Sequence, residues 1–148
     1  MNHLVIQRRK KTMIMNKLRE VGGSHYEDLD IEPVTIISQY KLNWFQGEAF
    51  KYVSRFFRKN GLSDLKKSAH VCEMAITMDK YPNTYNGVIY LEDTLLSKYV
   101  LQFKNSFREP KSFPIFQDIV LSILNKDYNK AFHNISLLMY SEYDESII

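Results

Sequence analysis

The sequence predicts a mainly α-helical protein, and three observations carry that prediction. Apolar residues recur at the helical period in "NWFQGEAFKYVSRFFRKNG" and again in "SDLKKSAHVCEMAI". Helix start and stop residues punctuate these stretches, among them Pro33, Ser63 and Asn60-Gly61. The alternation of apolar and polar residues that marks a half-buried strand is confined to "NGVIYLE". The expected organisation is a basic arm over 1–21, a small helical domain with a helical hairpin core over 22–82, and a C-terminal helical extension over 83–148.

The arm comes first. "QRRKK" places four cations together, and without them the net charge of +3 nearly vanishes, so the chain as a whole is no nucleic-acid coat. The arm is an expected point of contact with nucleic acid or a host protein, and it has room for a short helix in "MIMNKLREV". "GGSHYEDLD" reads as a loop. "IEPVTIISQYKL" reads as a two-turn helix with Pro33 in the first turn and Val34, Ile37 and Tyr40 on its inner side.

In "NWFQGEAFKYVSRFFRKNG", Ala49, Phe50, Val53, Phe56 and Phe57 fall in one arc, which defines a core face. Asn60-Gly61 ends this helix. The next begins with Ser63 as N-cap and Asp64 in its first turn, and buries Leu65, Ala69, Cys72 and Ile76. "KYPNTYNGVIY" is a linker, "LEDTLLSKYVLQFKNSF" a helix and "REPKSFP" a loop. An antiparallel helix pair turning at Asn125-Lys126-Asp127 completes the chain. Phe103, Phe107, Phe113, Phe116 and Phe132 are assigned to its core.

At 148 residues the chain can bury roughly 70% of its unfolded surface, enough for one core. A lone cysteine, Cys72, excludes an internal disulfide and a multi-cysteine zinc site, and its place on an apolar face marks a structural thiol. No apolar run is long enough to span a membrane.

Chemistry concentrates opposite the core arc. Lys51, Arg55 and Arg58 recur at i, i+4 and i+7, with Glu48, Tyr52 and Lys59 beside them. Guanidinium forks, ammonium groups and a phenol suit phosphate oxygens and a stacked base. The same stripe can equally be a solvated face held by a Glu48–Lys51 or Glu48–Arg55 pair. Lys66, Lys67, His70 and Glu73 form a polar face on the following helix, and a hairpin would bring Arg58, Lys59, Asp64 and Lys67 to one end. Asp64 there is either a helix-start residue or a carboxylate holding Mg²⁺ against phosphates. His25-Tyr26 beside Gly22-Gly23 offers backbone amides and an imidazole to an anion. Neither a P-loop nor a dinucleotide fingerprint is present.

The order "SHY", "IEP", "NWFQGEAFKYVSRFFRKNG", "DLKKSAHVCEMAI" resembles a small family of tailed-phage proteins known as nucleotide kinases. The matching positions are His25, Tyr26, Ile31, Pro33, Gly47, Lys51, Tyr52, Arg55, Lys59, Gly61, Asp64, Leu65 and Lys67, within residues 23–80. Glu48 stands where that pattern has Asn, and Ser68 where it has Ala.

The resemblance implies a phage protein binding a nucleoside phosphate, hence one of the host bacterial cytoplasm; a homo-oligomer is expected separately, because pockets are commonly shared between helices of small subunits. Its activity would be transfer from ATP, with Mg²⁺, to a deoxynucleoside monophosphate. Lys51, Arg55 and Asp64 would be the catalytic residues. His25, Tyr26, Tyr52, Lys59 and Lys67 would join Lys51 and Arg55 in binding nucleotide, and Asp64 and Glu48 would hold the metal. Two other functions are carried beside it: a protein that sequesters a nucleotide signal without turnover, and a host-takeover or structural adaptor that docks through its C-terminal helices.

Overall fold

The computed structural model describes residues 29–58, 60–83 and 87–145, and these form six helices and no strand. They are α1 (Pro33–Gln39), α2 (Trp44–Arg55), α3 (Leu62–Met78), α4 (Thr94–Leu101), α5 (Ser112–Leu124) and α6 (Tyr128–Tyr143). Antiparallel pairs α2–α3 and α5–α6 pack face to face, α3 against α6 and α2 against α5, while α1 lies on α2. None of these helices is long and apolar enough to cross a membrane.

Local chemistry explains four of the six helix starts. Asn43 and Gln46 form a capping box at α2, the Asn43 side chain accepting from the Gln46 amide at 2.9 Å and the Gln46 side chain accepting from the Asn43 amide at 3.1 Å. Asp93 caps α4 and Asp127 caps α6. Pro33 sits in the first turn of α1, as expected.

The α2–α3 turn departs from expectation. Helix α2 ends at Arg55, five residues before Asn60, so Arg58 lies on the turn instead of continuing the stripe. Gly61, at φ 50° and ψ −120°, occupies the N-cap position of α3 in place of Ser63. Those angles favour glycine strongly, and the close of the turn is the Gly61 amide donating to the Phe56 carbonyl at 3.1 Å.

Two further expectations fail at exposed positions. Val34 is 61% exposed while Ile36 is buried, because the rotation of this two-turn helix is set by its packing on α2 and by Tyr40, whose phenol donates to Asp93. Ile76 is 39% exposed, near the end of α3, whereas Leu65, Ala69 and Cys72 are buried as expected. Burial pushes the Cys72 thiol up to about 12, which makes it inert.

"NGVIYLE" forms no strand among its described residues. Ile89 is buried, and its backbone is satisfied by one side chain: its amide donates to Asn125 Oδ1 at 2.9 Å and its carbonyl accepts from Asn125 Nδ2 at 2.8 Å. Gln102 clamps the Ile31 amide and carbonyl in the same way, at 2.8 and 3.0 Å. A side-chain amide presents the same donor–acceptor pair as a neighbouring strand, so it can satisfy an extended backbone without a sheet.

The halves 29–82 and 83–145 share one core. Phe57 of the α2–α3 turn stacks on Phe103 at 5.3 Å between ring centroids and meets Phe116 edge-on at 5.9 Å, and Phe103 and Phe116 are 5.1 Å apart. Phe107, Phe113 and Phe132 are half-buried against this core. Buried polar groups bind the halves as well. Gln46 Nε2 donates to the carbonyls of Ile123 and Leu124, both at 3.1 Å, supplying partners that the end of α5 lacks within its own helix.

Asp79 ties together the ends of three helices. Its carboxylate accepts from Asn43 Nδ2 at 2.9 Å and from the Tyr128 phenol at 2.5 Å, and Lys126 Nζ lies 3.3 Å away. Burial by itself would raise the Asp79 carboxyl, but the hydrogen bonds from Tyr128 and Asn43 and the charge of Lys126 outweigh it and hold it below its ordinary value. The native state therefore binds fewer protons at this site than the unfolded chain. Its stabilisation is complete above the ordinary carboxylate pKa of about 3.9 and is lost as pH falls through the lower, folded value. We expect Asp79→Asn to lose less stability than the native sequence between pH 5 and pH 3, read as urea midpoints. Equal losses would show that Asp79 carries no such linkage.

Candidate functional site

The cation-bearing face of α2 meets the exposed face of α3 around one aromatic ring. Tyr52 is half-buried, and three cations approach its ring centroid: Lys51 Nζ at 4.7 Å, the Arg55 guanidinium carbon at 4.8 Å and Lys67 Nζ at 5.6 Å. Lys51 and Arg55 share a helix face with Tyr52 through the helical period. Lys67 arrives from the second turn of α3, which the Gly61 reversal folds back alongside α2. Cations this close to an aromatic face are each held by roughly 0.5–1 kcal/mol at exposed sites.

Beneath the ring the two helices are fastened. The Ser68 hydroxyl donates to the Ala49 carbonyl at 2.7 Å in a buried setting. Ser68 thus has a structural use in this chain that alanine could not fill.

Two carboxylates balance the cations in different ways. Asp64 is fully buried and pairs with Arg55 side-on, Nε to Oδ2 at 3.3 Å and Nη2 to Oδ1 at 3.4 Å, with the Asn60 amide also donating to Oδ2 at 3.4 Å. Glu48 stays at the surface and places both oxygens 3.0 Å from Lys51 Nζ. Lys67 is exposed and has no carboxylate within 4.0 Å among the described residues.

Mg²⁺ requires carboxylate oxygens directed at open, hydrated space. Both oxygens of Asp64 face Arg55 inside the protein, and both oxygens of Glu48 face Lys51. As arranged, neither fits a protein-held Mg²⁺. Among the described residues no three His, Cys, Asp or Glu side chains come together as a metal site.

The other expected site residues are placed unevenly. Lys51, Tyr52, Arg55, Asp64 and Lys67 come together. His25, Tyr26 and Lys59 lie outside the described residues. Arg58 is exposed on the α2–α3 turn, while His70 and Glu73 form a surface pair at 3.8 Å on α3. Two hollows beside α4, one lined by Leu91, Ser97, Leu101 and Gln117 and the other by Gln39, Tyr40, Asp93 and Leu95, include none of the clustered cations.

One contributor had no signal in the sequence. Tyr143, at the end of α6, lays its phenol over the α2–α3 turn, so that a Cβ on Gly61 would stand 3.1 Å from its oxygen. Its ring meets Phe56 edge-on at 6.4 Å. Burial, reinforced by Glu142, holds the Tyr143 phenol above its ordinary value. The C-terminal helix therefore braces the turn that places Asp64 against Arg55.

Residues 21–73 match a family described as a protein of unknown function (DUF3310). The match takes in α1, α2 and most of α3, and with them every member of the Tyr52 cluster. Searches of curated proteins and of solved structures returned no match.

Proposed function

We propose that the Tyr52 cluster binds a nucleoside phosphate. The observation that supports this reading is the convergence of Lys51, Arg55 and Lys67 within 5.6 Å of one aromatic ring. Cations around a phenol offer charge to phosphate oxygens and a π-face to a base, and neither group requires a P-loop. With the resemblance to tailed-phage nucleotide kinases, the reading becomes a phage enzyme of the host cytoplasm, working as a homo-oligomer. It would transfer the γ-phosphoryl of ATP to a deoxynucleoside monophosphate.

In this reading Lys51 and Lys67 neutralise phosphate charge, and Arg55, held by Asp64, contributes a fixed positive field. Phosphoryl transfer relies chiefly on such positioning and charge stabilisation. Any Mg²⁺ enters on the nucleotide's own phosphates, which supplies charge neutralisation there. His25, Tyr26 and Lys59 complete the nucleotide contacts.

A second reading, sequestration without turnover, is favoured by the pairing of both carboxylates with cations, which leaves an anion-binding surface without a free carboxylate base. One experiment separates the two. Deoxynucleoside monophosphates and ATP with Mg²⁺ are added to the protein, thermal stability is followed, and products are resolved by phosphorus NMR. Stabilisation with formation of diphosphate supports the kinase, and stabilisation with intact nucleotide supports sequestration. Lys67→Ala, an exposed change, is expected to weaken binding by about tenfold, the equivalent of one charge-assisted contact. A melting temperature that no nucleotide moves at millimolar concentration would overturn both readings.

A further inference from the structure

The two ion pairs of the cluster differ in a way that assigns them different tasks. Asp64 and Arg55 are 0% and 14% exposed, so a ligand cannot part them without leaving a charge stranded in the interior. Glu48 and Lys51 are 26% and 33% exposed, and such pairs are worth little beside a stronger partner. The Lys51 ammonium is also shared: the same Nζ lies 3.0 Å from the Glu48 oxygens and 4.7 Å from the Tyr52 ring. An anion reaching Lys51 at this ring must displace Glu48 or accept its repulsion.

We infer that Glu48 is a displaceable internal counter-anion that sets the charge selectivity of the site. The inference rests on the nucleotide-binding reading and deepens it. Lys51, Arg55 and Lys67 contribute three positive charges, and Glu48 and Asp64 remove two of them. A wall with one net positive charge suits a ligand of low charge. Each further phosphate brought near Glu48 adds repulsion without a matching cation in the Tyr52 cluster, so the cluster favours a nucleoside monophosphate over the di- and triphosphate. Selectivity of this kind works by penalising the competitor, with no additional contact to the preferred ligand.

The test is titration calorimetry of the full chain with dAMP, dADP and dATP, at constant low ionic strength and with EDTA to keep the phosphates unneutralised. Glu48→Gln keeps the side chain's size and surface position. It is expected to bind dAMP about threefold and dATP about tenfold more tightly than the native sequence, since repulsion scales with ligand charge. The same substitution in a Lys51→Gln background is expected to lose most of that gradient, because the two residues are coupled.

A gain that is equal for all three nucleotides, or no gain, overturns the inference while leaving nucleotide binding intact. A gradient that persists undiminished without Lys51 shows that Glu48 does not act through this pair, and overturns it too. Absence of binding by native protein and variants alike overturns the nucleotide reading itself, and this one with it.

Discussion

Asp64→Ala is expected to destabilise the protein by about 3–5 kcal/mol, the cost of leaving a buried charge without its partner. Asp64 is fully buried, and the Arg55 side chain that it neutralises is only 14% exposed. Removing the carboxylate strands the guanidinium under Tyr52 and takes an acceptor from the Asn60 amide. Arg55→Ala should cost a similar amount for the mirror-image reason. The double substitution Arg55→Met/Asp64→Leu should cost far less than the sum, because apolar side chains of similar volume need no counter-charge. Urea denaturation followed by far-ultraviolet circular dichroism measures all three. A loss below about 1 kcal/mol for Asp64→Ala would place it with surface pairs and return it to the set of available metal ligands.

Truncation after Pro82 is expected to abolish cooperative folding. The matched segment 21–73 and the remainder of α3 would keep the Tyr52 cluster in sequence but lose the surfaces it stands on. Without α5 and α6, the core faces of α2 and α3 lose their packing partners, Gln46 loses both carbonyl acceptors, and Tyr143 no longer covers Gly61. A domain of about 60 residues buries only about 60% of its unfolded surface, and this fragment would bury less with one side of its hairpin open. Circular dichroism through a thermal scan should show a broad, non-cooperative loss of helix. A sharp transition in the fragment would establish 22–82 as an independently folding domain and 83–148 as an appendage.

Helices α2, α3, α5 and α6 were legible because each carries a long apolar stripe, and the α5–α6 turn was legible from Asn125-Lys126-Asp127. That turn also shows what lay hidden. Lys126 adopts a left-handed φ of 59°, and its ammonium bonds the Tyr81 and Pro82 carbonyls at 2.7 and 3.2 Å, anchoring the start of the linker. Tyr81 and Pro82 are more than forty residues away, so no local pattern could reveal this. Val34 and Ile76 were misplaced because short helices and helix ends have too few turns, or too few neighbours, for periodicity to decide which side faces inward.

At the candidate site the division is similar. Lys51, Tyr52 and Arg55 share a face by helical geometry alone, and the sequence by itself determined that grouping, together with the hairpin that Gly61 reverses. It also left two fates open for Glu48 and for Asp64. Only the tertiary structure decided between them: Asp64 crosses from α3 to pair with Arg55 in the interior, under a turn braced by Tyr143, which leaves Glu48 to pair with Lys51 within its own helix. The physical reason is that a helical period orders side chains within one helix. Which charge meets which across two helices depends on their rotation and register, and these are set by the packing of the whole core.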